Sequence, residues 1–384
     1  RDRGRDRAHL IDLLDRFGSA HPQPDATHFS GPIGRTNLKW ESHTEFVTYS
    51  AFAPGVAARP FDPATAQVFP QDWLAAAPGK RLVSLLIRVE VMPDDEAEIM
   101  AKLEDWFVPE SLAASRVVDG AAIVAGDFRI DAAGHMRMAV FVRPGTGARR
   151  IGRIVQRLCE IETYRAMSML GLMRSRQLTA RLNALDPKLS ALVGTLDGLA
   201  SSPEDTLHEL LAISAELESL AVQFSFRFGA TSAYEAILNQ RVEVLREVRI
   251  NGRQTFGEFM MRRYDPAMRT VKSAEGRLKS LAERAQRAAE LLRTRVDVER
   301  SAQNQKLLES MDRRADLALR LQHTVEGLSV VAISYYAVSL AAYAAYPVTE
   351  AVGISKGMAT AILTPIVVLG VWLAVRRIKR RMDP

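Results

Sequence analysis

The chain has 384 residues, enough for two or three domains of about 100–200 residues each. Apolar residues make up 47% of it and mean hydropathy is near zero, so membrane-grade hydrophobicity must be concentrated in particular segments. The formal charge of +6 is nearly accounted for by five cations between Arg376 and Arg381, which argues against nucleic acid as a partner and for a topology signal facing anionic lipid.

Residues 1–35 are rich in charge, Pro, Gly and His and read as a flexible lead-in with one short helix, His9 to Phe17. The chain begins at Arg1 rather than Met, and residues before Arg1 are expected to be missing. No apolar signal-peptide core stands near the visible start.

Residues 36–147 read as an α/β domain. Leu38 to Phe52 is β-like, and 53–79 reads as a loop excursion with a short helix. Arg81 to Val91 alternates, with Leu85, Ile87, Val89 and Val91 on one face. Pro93-Asp94-Asp95-Glu96 opens a helix running to about Trp106, with Asp94 as its cap. Strands are expected at Ala121–Ile130 and Met136–Arg143, joined by an Asp131-Ala132-Ala133-Gly134 turn. Met136, Met138, Val140 and Val142 are expected to face the core. With a helix from about Ala148, the order β-α-β-β-α resembles most of a ferredoxin-like unit.

Residues 148–265 read as a helical domain. One helix is expected to end near Gly171, another to lie between Met173 and Leu199 with an interruption near Pro187. Ser202 caps a third with Pro203 at its first position, running to about Phe228, and Ser232 to Val248 is a fourth. Residues 266–327 read as a long stalk helix. Val271, Ala274, Leu278, Leu281, Ala285, Ala288 and Leu292 form one apolar seam; Leu308, Met311, Ala315, Ala318, Gln322 and Val325 form a second. Between the seams the pattern blurs, as at a stutter or a change of partner.

Two nineteen-residue stretches without an ionised side chain follow, 328–346 and 357–375. Each matches the roughly 20 apolar residues that span a bilayer. Residues 347–356 read as a short periplasmic loop, and 376–384 as a basic cytoplasmic tail carrying Arg376, Arg377, Lys379, Arg380 and Arg381 against the lipid. The expected fold is therefore α+β: a cytosolic ferredoxin-like head, a helical stalk or bundle and a C-terminal transmembrane hairpin. The expected place is a bacterial inner membrane, spanned twice, with both termini cytoplasmic.

No catalytic constellation stands out, so no enzyme, cofactor or metal site is expected. The seven histidines show no metal-ligand spacing. The lone Cys159 excludes an intramolecular disulfide and reads as a small buried residue of a helix, and the thiol count suits a reducing compartment. The Arg143–Arg150 loop carries Gly145 and Gly147 and reads first as a strand-to-helix connection; if an anion binds there, Arg149 and Arg150 are its partners. Hydroxyls in the apolar stretches either line a pore in an oligomer or hydrogen-bond between packed helices. Asn304, Met311, Ala315, Gln322, Ser329 and Ser339 are the candidate pore wall.

Several segments resemble a bacterial family of predicted membrane-anchored proteins of unknown function. They are Leu38–Phe46, Gly126–Ile130, Glu160–Arg165, Phe226–Thr231, Arg293–Val298, Gln303–Gln305 and Thr324–Ser329. The resemblance covers nearly the whole chain beyond residue 36; it implies membrane association and carries no reaction or ligand. The architecture is also similar, more loosely, to CorA-type divalent-cation channels. That resemblance implies a divalent cation as partner, yet the Gly-Met-Asn motif is missing. The first stretch ends Ala344-Ala345-Tyr346-Pro347, and Gly357-Met358-Ala359 opens the second. The expected function is a membrane-anchored, homo-oligomeric, non-enzymatic scaffold or sensor whose partner is the lipid bilayer; the alternative is a CorA-like cation channel.

Overall fold

The computed structural model describes residues 2–62, 64, 67–194, 202–351 and 355–382, with side chains described for all of these but 349–351 and 379–382. The chain divides into two units, Arg1–Ala289 and Glu290–Pro384.

The first unit opens with an apolar stripe hidden among charges. Asp2 accepts hydrogen bonds from the backbone N–H groups of Gly4 and Arg5 and so starts α1 (Arg3–Arg16). Leu10, Leu13 and Leu14 share one face of this helix and are buried. Three antiparallel strands follow, β1 (His28–Ile33), β2 (Thr36–Ser42) and β3 (Val47–Phe52), and then α2 (Gln71–Ala75). The β1–β2 turn is two residues long and needs Gly34, whose φ is +59°. Ile33, Leu38, Trp40 and Trp73 close over the α1 leucines to make one core. Residues 1–35 are thus not a flexible lead-in but carry α1 and β1. Their small apolar stripe becomes a core only because Trp40 and Trp73 arrive from far along the sequence.

A second core forms on a five-stranded sheet. Its strands are β4 (Leu85–Val91), β5 (Ala113–Val117), β6 (Ala122–Ile130), β7 (Met136–Val142) and β8 (Val248–Arg249), with α3 (Glu96–Trp106) after β4. The order is β4-β7-β6-β5-β8; β4 and β7 are parallel and the other pairs antiparallel. Asp95, one residue beyond the expected cap, accepts from the Ala97 N–H. Ile99, Leu103 and Trp106 of α3 pack with Ile123, Ala125, Ala139 and Phe141 of the sheet. Met136, Met138, Val140 and Val142 are buried as expected, and so are Ala139 and Phe141 between them. The turn Asp131–Gly134 also forms, with Asp131 Oδ1 accepting from Ala133 and His135 N–H groups.

The α+β class holds, but β5 stands where a connection was expected. The observed order is therefore β-α-β-β-β-α, with one strand more than the expected ferredoxin-like β-α-β-β-α, which is corrected in that respect. Ala113-Ala114-Ser115-Arg116-Val117 is buried at all positions but Arg116, so it shows no alternation for a sequence reading to detect.

The helical part joins what the sequence divided. α4 (Ala148–Gly194) passes through Gly171 and Pro187 without ending, and α5 (Pro203–Glu243) passes through Gly229. Gly171 is a packing residue, since a Cβ there would lie 2.3 Å from Thr231 Oγ1 of α5. α6 (Phe256–Arg263) begins in a capping box between Thr255 and Glu258. α7 (Asp265–Ala351) follows. Within the first unit its buried stripe is Val271, Ala274, Leu278, Leu281, Ala285 and Ala288, most of the expected first seam. Arg277 and Arg284 of α7 bridge to Asp186 of α4, and Lys272 to Glu235 of α5. The Arg277 hydrogen bond, aided by Arg284, holds the Asp186 carboxyl below the usual carboxylate range.

In the second unit α7 runs through Pro347 to Ala351, and α8 (Lys356–Met382) begins at Lys356. The loop expected at 347–356 is thus shortened. Alanines 341, 342, 344 and 345 are strong helix formers, and Pro347 removes one N–H from the last turns only. The second seam, Leu308 to Val325, is exposed along its length.

The helix crossing is tested by paired glycine substitutions. Gly171→Ala should destabilise the fold by about 1–3 kcal/mol through overpacking against Thr231. Gly229→Ala, whose new Cβ meets open space, should be neutral or stabilising by up to about 1 kcal/mol. Denaturant titration of both variants checks the contrast.

Candidate functional site

β6 breaks its own pattern at its end. Its ladder with β7 slips between Gly126 and Ile130, and Phe128 inside the slip has φ +54°. A bulky residue in the left-handed region is costly and needs support from around it. Phe128 gets that support from rings: it stacks on Phe259 at 4.1 Å between centroids and meets Phe256 edge-on at 5.0 Å. The bulge also fixes the flanking charges. Asp127 is fully buried, accepts from the Val108 and Arg129 N–H groups, and lies 3.5 Å from Arg137.

A cavity of about 240 Å³ opens beside this bulge. Four arginines line it, Arg129, Arg165, Arg262 and Arg263, against two carboxylates, Glu110 and the buried Asp127. Phe128, Phe259 and Tyr264 supply its ring surface. Arg165 is held from behind by the buried Glu162, which accepts two hydrogen bonds from it at 2.7 and 2.8 Å. Burial opposes the Arg165 charge, but the Glu162 bonds outweigh it and hold the guanidinium above its ordinary value. Arg129 Nε donates to Ser111 Oγ. Arg262 feels the Glu258 carboxylate, while Arg263 is exposed and makes no ion pair among the described residues. The Tyr264 hydroxyl donates to Ser168 Oγ at 2.8 Å, and burial pushes its pKa up to about 12.

A second cluster ties the three-stranded sheet to the helices. Glu45, in the β2–β3 turn, accepts from Arg227 at 2.6 Å and from the Tyr234 hydroxyl at 2.7 Å. Tyr234 stacks on Tyr164, and Phe46 meets both rings edge-on. Burial, then the Glu45 carboxylate, raise the Tyr234 pKa. Leu38–Phe46, Glu160–Arg165 and Phe226–Thr231, distant in sequence, therefore meet in one polar and aromatic latch.

The second unit holds the apolar helices. α7 and α8 each contain a segment long and apolar enough to cross a membrane. On both, most positions turned from solvent are small or mid-sized, among them Val330, Ser334, Ala337, Ala341 and Ala345 on α7, and Thr360, Thr364, Val367, Val371 and Val375 on α8; Leu363 is the large exception. Most large side chains are exposed, among them Leu328, Tyr335, Leu340, Ile362, Ile366, Leu369 and Leu373, and so are the small Ala332, Ala344, Ala361 and Ala374. Lys356 Nζ sits 5.9 Å from the ring centres of both Tyr343 and Tyr346, and the Arg376 guanidinium 4.9 Å from that of Trp372.

The sequence-predicted residues fare unevenly. Arg150 donates to the Val118 carbonyl, and neither it nor Arg149 reaches the arginine pocket. Asn304, Met311, Ala315, Gln322 and Ser329 fall within about 40° of one helix face at about 100° per residue, and Ser339 lies about 100° away. All but Ser339 are exposed. Gln322 donates to Glu326, Ser329 to the Val325 carbonyl and Ser339 to the Tyr335 carbonyl, each within its own helix. Arg376 and Arg377 are exposed; the side chains of Lys379, Arg380 and Arg381 lie outside the described residues. The arginine pocket itself went unseen, although Gly126–Ile130 and Glu160–Arg165, which supply two of its walls, carried the family resemblance.

Cys159 is half-buried, and burial pushes its thiol up to about 11. At pH 7.5 its thiolate fraction should be lower than a free cysteine's by about two orders of magnitude. Alkylation by iodoacetamide should be slowed by at least that factor in the folded chain and should recover in denaturant; a rate near that of free cysteine contradicts this environment.

Comparison with curated proteins finds no match. A family match covers residues 1–382, and it lends no support to the CorA-type resemblance. The chain belongs to the family described as Protein of unknown function (DUF3422).

Proposed function

We propose that the chain is a membrane-anchored, homo-oligomeric, non-enzymatic scaffold or sensor of a bacterial inner membrane, with its first unit and both termini in the cytoplasm. The observation that carries this reading is the reversed polarity of α7 and α8. Most half-buried positions are small and nearly all large aliphatic ones, Leu363 excepted, face outward, as suits helices solvated by lipid, where close packing needs small side chains and outward leucines cost nothing.

The ends of the helices support the same reading. Lys356 with Tyr343 and Tyr346 marks one boundary, and Trp372 with Arg376 the other. Lys356 to Arg376 is twenty residues, about 30 Å of helix, the thickness of the hydrocarbon layer. Aromatic rings and snorkelling cations favour that interface. By the positive-inside rule the cations from Arg376 onward support a cytoplasmic C-terminus, and two crossings would return the chain to the same side. Self-association rests on the second seam, whose Leu308, Met311 and Val325 face water in the single chain. A heptad-spaced stripe of this kind is covered most economically by a second copy.

Membranes from expressing cells should retain the chain after an alkaline carbonate wash. A phosphatase fused behind Pro384 should stay inactive, while a fluorescent protein at the same place should mature. Release by carbonate, or an active phosphatase, overturns the anchor or its orientation. The seam is tested separately in a Cys159→Ser background. Met311→Cys should give a disulfide-linked dimer in native membranes, and Leu317→Cys, on the far side of the helix, should not. Equal cross-linking at both positions, or at neither, counts against the seam.

A further inference from the structure

We propose that the arginine cavity in the first unit binds a small phosphorylated molecule, with the phosphate on Arg129, Arg165, Arg262 and Arg263 and an apolar or aromatic remainder against Phe128 and Phe259. The proposal deepens the sensor reading by naming the chemistry of its ligand.

Charge is the first ground. Four guanidinium groups face two carboxylates in the lining, and Asp127 is already engaged by two backbone N–H groups and Arg137. An excess of about two positive charges is left facing the cavity. A phosphate monoester carries about −1.5 to −2 at neutral pH and neutralises such an excess, whereas one carboxylate neutralises half of it. Guanidinium groups also pair with phosphate oxygens in twos, and a phosphate offers three such oxygens on one centre for several of them to share.

Preorganisation is the second ground. Arg165 is fixed by the buried Glu162, and Arg129, although exposed, is tied by one hydrogen bond to Ser111. Glu162 supplies an anchor behind the wall without filling the cavity. Arg262 and Arg263, at the end of α6, are exposed and can turn onto a ligand. A wall with one fixed cation and three adjustable ones suits capture of an anion rather than a structural ion pair.

The third ground is the strained bulge. Phe128 is held at φ +54° in a strand that regular pairing with β7 would continue straight, and the distortion sets its ring in the cavity wall beside Phe259. Backbone strain of this kind persists where its surroundings over-determine it, as at ligand sites. The volume of about 240 Å³ is below that of drug-sized pockets and limits the ligand to a phosphate with about one ring or a short chain.

The test uses the full chain in detergent and phenyl phosphate as probe, followed by calorimetry. Saturable binding is expected, with inorganic phosphate weaker and benzoate weaker still. Arg262→Gln/Arg263→Gln should weaken phenyl phosphate at least tenfold. Both side chains are exposed, so circular dichroism and the thermal midpoint should match the parent. Phe259→Leu should weaken phenyl phosphate but leave inorganic phosphate unchanged, a split that general unfolding cannot produce. Absence of phenyl phosphate binding overturns the proposal, as does binding unaltered by the double arginine change. Binding only to vesicles containing phosphatidic acid would assign the basic surface to a lipid headgroup and overturn it too. Because the experiment is done in detergent, its failure leaves the membrane anchor standing, and loss of the anchor leaves this result intact.

Discussion

The crossing of α4 and α5 at Gly171 and Thr231 sets the geometry of the first unit. The missing Cβ at Gly171 lets the helices approach to a distance that no other side chain permits. Thr231 Oγ1 then reaches the Ser168 carbonyl, and Ser168 Oγ receives the Tyr264 hydroxyl. One turn earlier on α4, Arg165 is pinned by Glu162; beside it Tyr164 stacks on Tyr234, one turn after Thr231. Pocket and latch therefore hang on one steric fact. A shift at the crossing would move Arg165 and Met169 of the pocket and Tyr164 of the latch together, because all three lie on α4 within two turns of Gly171.

The two units follow opposite packing rules. In the first, leucines and aromatics go inward and arginines stay out or pair with acids, as water demands. Along α7 and α8 in the second, isoleucines, tyrosines and all leucines but Leu363 are outermost in the apolar stretches, and the half-buried positions are otherwise Ser, Thr, Ala and Val. The buried Ser334 shows the contrast, a small polar side chain at the most enclosed position of those stretches.

Much of this was legible in the sequence wherever a period survived. The α+β class, the strand at Leu85–Val91, the first seam and the two apolar stretches were all legible, although the alternation read along that strand does not appear in its burial, which is intermediate throughout and ends in an exposed Val91. What was lost falls into three kinds. The stripe Leu10, Leu13 and Leu14, too short to stand alone, was read as a short helix in a flexible lead-in rather than as a core, because its covering residues come from elsewhere. Strands buried on both faces, such as β5, show no alternation. Gly171, inside a helix, was read as a stop when it serves close packing. The candidate site was the least legible. Its four arginines come from β6, α4 and α6, and only folding brings them together. Its one local mark, a phenylalanine in the left-handed region, is a property of backbone geometry and leaves no trace in composition.

The crossing and the bridges around it differ in kind. Contact between Gly171 and Thr231 is excluded volume, which ions in solution do not screen. The Asp186 bridges to Arg277 and Arg284 are ionic and partly open to solvent, so dissolved salt weakens them. Rising ionic strength therefore weakens these bridges but leaves the α4–α5 contact and the buried apolar stripe of α7 in place, so the start of α7 keeps its seat by apolar contact when its charges are screened.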